Sequence, residues 1–147
     1  MRDGLLFLHI VGAAGWIGGG LYATYAYSTV AHTGPPSAAG VLSALDKRAS
    51  VYFGVTSGLV LLSGIALVIT SDAFGWGDAF VLIGLGAFLL SGIVQSTVGR
   101  KANERLIEAA GTGADLPQAI SSWRRLSYLD AAVLFVVVWA MISKLGT

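Results

Sequence analysis

The stretch "LHIVGAAGWIGGGLY", Leu8 to Tyr22, is apolar enough for lipid, yet it holds an imidazole, an indole and five glycines. His9 and Trp16 are seven residues apart, close to two helical turns, so they project from one helix face. One inward histidine in a small membrane bundle is a candidate axial ligand for haem iron. It is equally a candidate for a neutral residue bonded to a neighbouring hydroxyl or carbonyl. Gly12, Ala13, Gly19 and Gly20 flank the same line, and Gly15 and Gly19 form a GxxxG pair. Such glycines let helices approach closely, or they leave room for a flat ligand beside His9. Trp16 then floors a cofactor pocket or fills the core. The glycine face is also a candidate homodimer contact.

Two further residues carry chemistry inside apolar sequence. Asp130 is an acid within the last hydrophobic segment, and an intramembrane acid is functional by default and needs a partner. Candidates are Arg100 or Arg48, the hydroxyls of Tyr25 and Tyr27, or the neutral Gln95 at similar depth. A staple is the simplest role, because no second acid lines a path for a proton relay. Met141 is eleven residues from Asp130, three turns on, and so points the same way. Asp72 and Asp78 suit helix-end capping better than cation binding.

The elements that must position these residues are four apolar segments, each long enough to cross about 30 Å of hydrocarbon. They run roughly 5–27, 51–71, 79–98 and 125–143. In lipid the backbone must pair within a segment, so these are helices. The first reads as a retained helix rather than a signal peptide, its apolar run being long and "MRDG" barely basic. The second and third are joined by a tight turn, "DAFGWGD", where Gly77 or Asp78 can cap the third helix and Trp76 suits an interface. "SAAGVLSALDKRAS" reads as a short surface helix with Ser37 as its N-cap. "RKANERLIEAA" continues the third helix past the membrane until "GTG" ends it. "DLPQAISSWRRLSYLD" restarts a helix near Asp115 and Pro117. Small residues recur on inward faces: Ser57, Gly64 and Ser71 in the second helix, and Gly84, Ser91 and Gln95 in the third. The fold expected is a single all-α, four-helix transmembrane bundle with short surface helices in its loops.

Seven basic residues (Lys47, Arg48, Arg100, Lys101, Arg105, Arg124, Arg125) fall in the first and third loops, leaving Arg2 and Lys144 for the other side. By the positive-inside bias those loops are cytoplasmic and both termini outside. Depth then sorts the ligands. His32 lies over 30 Å along a straight helix from His9 at about 1.5 Å per residue, too far to share a haem, and reads as a surface residue. Met141 is near the outer end of the fourth helix, at roughly the depth of His9. A His/Met pair is a known haem ligation; a five-coordinate haem on His9, or a His9 pair across a dimer, are alternatives.

Composition sets the class. Hydrophobic residues are 55% of the 147 and charged ones 12%, against about a quarter charged in a soluble domain; mean hydropathy is +0.76. The partner is therefore the lipid bilayer. A net charge of +1 argues against nucleic acid, and without cysteine there is no thiolate site or disulfide. Two histidines are too few for a multi-histidine metal site. No nucleotide loop, hydrolase triad or paired-carboxylate site appears.

Leu8-His9, Gly12-Ala13, Trp16-Ile17 and Gly18-Gly19 resemble the first-helix pattern of a bacterial membrane superfamily. It includes copper-resistance D-like proteins, HemJ-type protoporphyrinogen oxidases and a family of small predicted membrane proteins, domain of unknown function 2269. The end, "YLDAAVLFVVVWAMISKLGT", is similar to the last helix of that uncharacterised family. The resemblance implies a multi-pass protein of the bacterial inner membrane. By analogy with the HemJ type it also implies haem ligation by His9. That type has a functional lysine early in its third helix, whereas this chain reads "WGDAFVLIGLG" there, so porphyrinogen oxidation is not implied. Scarce histidine and methionine give copper transport little support. The leading expectation is a non-enzymatic b-type haem protein for electron transfer or haem handling, ligated by His9 and Met141 with Trp16, Gly12 and Gly19 around the cofactor. The sequence names no redox partner. The alternatives are a cofactor-free accessory protein and a transporter of a small solute or metal.

Overall fold

The computed structural model describes residues 2–34, 37–72 and 75–144, the Lys144 side chain excepted. Pro35 and Pro36, and Ala73 and Phe74 of the expected tight turn, lie outside the described residues. Five α-helices follow in order: α1 (Arg2–Ala31), α2 (Ser37–Ile69), α3 (Ala79–Val94), α4 (Arg100–Thr112) and α5 (Leu116–Lys144). A π-helical turn, Gln95–Gly99, joins α3 to α4, so Ala79–Thr112 is one rod. Four helical rods are thus long and apolar enough to cross a membrane. Their outer surfaces are apolar, with Phe7, Leu62, Leu90, Val136 and Trp139 exposed. That surface suits hydrocarbon, which asks only that the backbone be paired.

The helix expected at Ser37–Ser50 is present, but it is continuous with the second span. No proline interrupts Ser37–Ile69, and its 33 residues run about 50 Å at 1.5 Å each, well beyond the hydrocarbon thickness. Ser37 does not cap this helix; its hydroxyl donates back to the Gly34 carbonyl at 3.1 Å. The excess length is used at the end that carries the seven basic loop residues. There the last turns of α1, the first turns of α2, all of α4 and the start of α5 close a core of Tyr27, Ala31, Leu42, Leu106, Ala110 and Ile120. Tyr27 stacks on Trp123, with centroids 5.0 Å apart and planes 8° from parallel. Helix α4 supplies Leu106, Ala109 and Ala110 from one side and keeps its charges on the other, the pattern of a helix covering a water-side core.

Local signals set the ends. Gly113 adopts φ 77° and its N–H returns to the Ala109 carbonyl at 2.8 Å, a left-handed glycine closing α4. Asp115, at φ 53°, then starts α5 by accepting the Ala119 amide at 3.0 Å. Asp78 holds the N-cap position of α3, but its carboxylate accepts the Gly75 amide at 2.9 Å and ties the turn instead. Trp76 stands exposed on that turn.

Candidate functional site

Helix α1 lies against α2 through the glycines of its first half. A Cβ on Gly12 would meet Val60 Cγ2 at 3.0 Å and the Val60 backbone nitrogen at 3.3 Å. Gly19 lies under the Tyr52 ring, and the Tyr52 hydroxyl donates to the Gly15 carbonyl at 2.7 Å. The GxxxG face is therefore occupied by α2 within the chain.

His9 sits at the open end of this seam, half-buried. Its Nδ1 is 3.0 Å from the Val60 carbonyl and 3.3 Å from Ser63 Oγ. The ring lies over Gly64, where a Cβ would come within 3.1 Å of Cε1. A carbonyl can only accept, so Nδ1 carries the proton in that bond, and in its neutral form the ring keeps its lone pair on Nε2. This contact matches the carbonyl-or-hydroxyl partner foreseen for His9. It also fixes ring orientation and tautomer, as the outer hydrogen bond of a metal-bound histidine does. His32 is bound to the Ser28 carbonyl at 2.6 Å on the surface at the far end of α1.

Met141 and Asp130 share the face of α5 that meets α3, as their spacing requires. Met141 Cε lies 2.6 Å from where a Gly84 Cβ would stand. His9 and Met141 thus each engage a different helix, α2 and α3. Ser91 Oγ donates to Asp130 Oδ1 at 2.5 Å. The partner of Asp130 is therefore Ser91, not an arginine or a tyrosine. Arg100 is instead paired with Glu104 at 3.0 Å on the surface.

Below the level of His9, Trp16 and Phe88 meet edge to face, centroids 5.3 Å apart. They line the deep end of a cavity of about 610 Å³ that reaches the basic end of the bundle. Ser91, Gln95 and Asp130 line its middle, and Asp46, Asn103 and Glu104 lie where it meets the water-side core. The π turn is part of this wall: the Arg100 amide reaches back five residues to the Gln95 carbonyl, and Gln95, Ser96, Gly99 and Arg100 all line the cavity. Such turns frequently interrupt α-helices at functional sites. Gln95 turns its side-chain oxygen back against Gly99, so it shares the cavity with Asp130 without being its hydrogen-bond partner.

Asp46 precedes the apolar stretch of α2, outside the hydrocarbon. Burial raises its carboxyl above the usual carboxylate range and the charge of Glu104 adds to this, while a hydrogen bond from Asn103 opposes it. Asn103 spends its amide there, and its buried Oδ1 has no protein partner among the described residues.

This cavity is not legible in the sequence, because Asp46, Asn103 and Asp130 come from three different helices. The available signal was the inward faces, Ser57 on α2 with Ser91 and Gln95 on the third rod, which border one space. Among the described residues no group of three or more His, Asp or Glu could hold a metal ion. Residues 4–145 match the family described as "Predicted integral membrane protein (DUF2269)". No curated protein and no solved structure matches the chain.

Proposed function

The chain belongs to the DUF2269 family of predicted integral membrane proteins, and on that premise we propose that it binds a b-type haem through His9. One observation carries this reading: Nδ1 is committed to the Val60 carbonyl, which leaves Nε2 as a bare, oriented base. The residues present fit one axial bond of that kind. Met141, turned to Gly84, is the candidate for a second. Bound haem supplies one-electron chemistry, suited to electron transfer or haem handling. The chain's own part is to hold the imidazole at a fixed angle through Val60 and Ser63.

The same reading places the His9 end outside and the basic end in the cytoplasm of a bacterial inner membrane. It rests on the gathering of Lys47, Arg48, Arg100, Lys101, Arg105, Arg124 and Arg125 at one end of the antiparallel rods.

The test is an absorption spectrum of the purified protein in detergent, oxidised and dithionite-reduced, with haem added. The expected result is a Soret band that sharpens on reduction and is lost in His9→Ala while the helical circular dichroism stays unchanged. A colourless protein that ignores added haem, or an unaltered spectrum in His9→Ala, refutes the assignment.

A further inference from the structure

We propose that the mid-bundle cavity is a binding site for a small organic cation, an amine with an apolar body. At about 610 Å³ it falls within the usual range of small-molecule sites, about 300–1,000 Å³. Four of the hydroxyls along it donate elsewhere: Ser57 to the Gly54 carbonyl at 3.3 Å, Ser96 to Ile93 at 3.1 Å, Ser127 to Trp123 at 3.1 Å, and Ser91 to Asp130 at 2.5 Å. The one guanidinium at its edge, Arg100, is held by Glu104 at 3.0 Å. Two acceptors there remain open. Asp130 has no cationic partner among the described residues, and Ser91 engages only one of its two oxygens. The buried Asn103 Oδ1 is unpaired.

A lining of spare acceptors favours a ligand that brings N–H donors and positive charge. An intramembrane carboxylate without a counter-ion marks such a site, and an orphaned buried carbonyl costs stability until a donor reaches it. The deep end adds Trp16, Phe88 and Phe53, which suit an apolar body and whose ring faces attract a cation. An inorganic ion needs neither these walls nor this volume. His9 lies beyond the Trp16–Phe88 pair and takes no part, so the site is independent of the haem reading.

The test is isothermal titration calorimetry on the full chain in detergent at pH 7, corrected for empty micelles. The probes are 2-phenylethylamine, its neutral counterpart 2-phenylethanol and the anion 3-phenylpropionate. The amine gives a saturable heat; the alcohol binds about tenfold more weakly or less, and the anion does not bind, as expected for losing a charge-assisted hydrogen bond. Asp130→Asn keeps an acceptor for Ser91, so the bundle melts as before while amine affinity falls about tenfold. Phe88→Leu, which removes a ring at the deep end, lowers it as well, and this reads the site even if Asp130→Asn fails to fold. His9→Ala leaves amine binding unchanged. Equal binding of amine and alcohol, no saturable amine heat, or wild-type affinity in the folded variants overturns the proposal.

Discussion

Gly18 and Gly19 are neighbours with opposite fates. A Cβ on Gly18 meets nothing within 4 Å, whereas one on Gly19 enters the Tyr52 ring, with Cζ and the hydroxyl both 3.1 Å away. The ring can escape only by swinging out of the seam, and its hydroxyl then leaves the Gly15 carbonyl that it holds at 2.7 Å. Overpacking of this kind costs about 1–3 kcal/mol, and the lost hydrogen bond about 1 kcal/mol. Gly19→Ala is therefore expected to destabilise by about 2–4 kcal/mol. Gly18→Ala should be neutral or slightly stabilising, since alanine is the better helix former. Reversible unfolding in mixed micelles, followed by circular dichroism, measures both. Tyr52→Phe sharpens the test. Alone it costs about 1 kcal/mol; in the Gly19→Ala background it costs almost nothing, because the hydrogen bond has already gone, and the two effects fail to add. Equal effects at positions 18 and 19, or strict additivity with Tyr52→Phe, would show that α1 and α2 do not meet through this face.

Three other perturbations probe separate parts of the molecule. Leu106→Ala empties a fully buried position of the water-side core and should cost about 2–5 kcal/mol. Leu89→Ala, on the exposed apolar surface, should cost well under half of that; similar melting shifts would contradict the assignment of these two environments. Asp46 gives a pH signature. Its folded carboxyl titrates above the unfolded value of about 3.9, so the folded chain binds that proton more tightly. Stability is therefore lost as pH rises from the unfolded value through the raised folded one. Asp46→Asn removes this loss, and the variant should gain relative to the wild type at pH 7 but not at pH 4. An equal gap at both pH values would place the carboxyl in open water. Ser91→Ala withdraws the hydrogen bond that Asp130 accepts from it; a lower melting temperature should appear, partly restored by Asp130→Asn, which replaces the stranded carboxylate with a neutral amide.

The spans were legible because hydrocarbon imposes a single rule on the chain, and a run such as "GLVLLSGIALVI" obeys it without reference to its neighbours. The stops were legible as local chemistry: Gly113 in a left-handed conformation, Asp115 before Leu116-Pro117. The unbroken passage from Ser37 to Ile69 was less plain. Charges at Asp46, Lys47 and Arg48 look like a membrane boundary, and a helix crosses such a boundary with no change in its own geometry. Ala38 and Leu42, with Leu106 and Ala110, do show a four-residue spacing, the trace of a buried stripe outside the membrane. The partner of Asp130 was hidden for a different reason. Ser91 and Asp130 were each assignable to an inward face, but their pairing depends on how far one rod slides along another. His9 was legible down to the kind of group that holds it, a carbonyl and a hydroxyl, while the helix that supplies them was not.

The π turn bears on how this third rod came to serve two media. The π turn absorbs one extra residue without extra rotation, so everything beyond it lies about 100° from where a uniform α-helix would carry it. Upstream, Gly84 and Ser91 are phased to meet α5 inside the lipid; downstream, Leu106 and Ala110 are phased to close a core in water. A rod of uniform pitch could not satisfy both appointments with this sequence. Removing one residue from Gln95–Gly99 would leave a regular helix with Leu106 still turned to Leu42, whereas the same deletion in the regular turns on either side would rotate Leu106 away by about 100°. A one-residue gap should therefore be far better tolerated within these five positions than elsewhere in the rod.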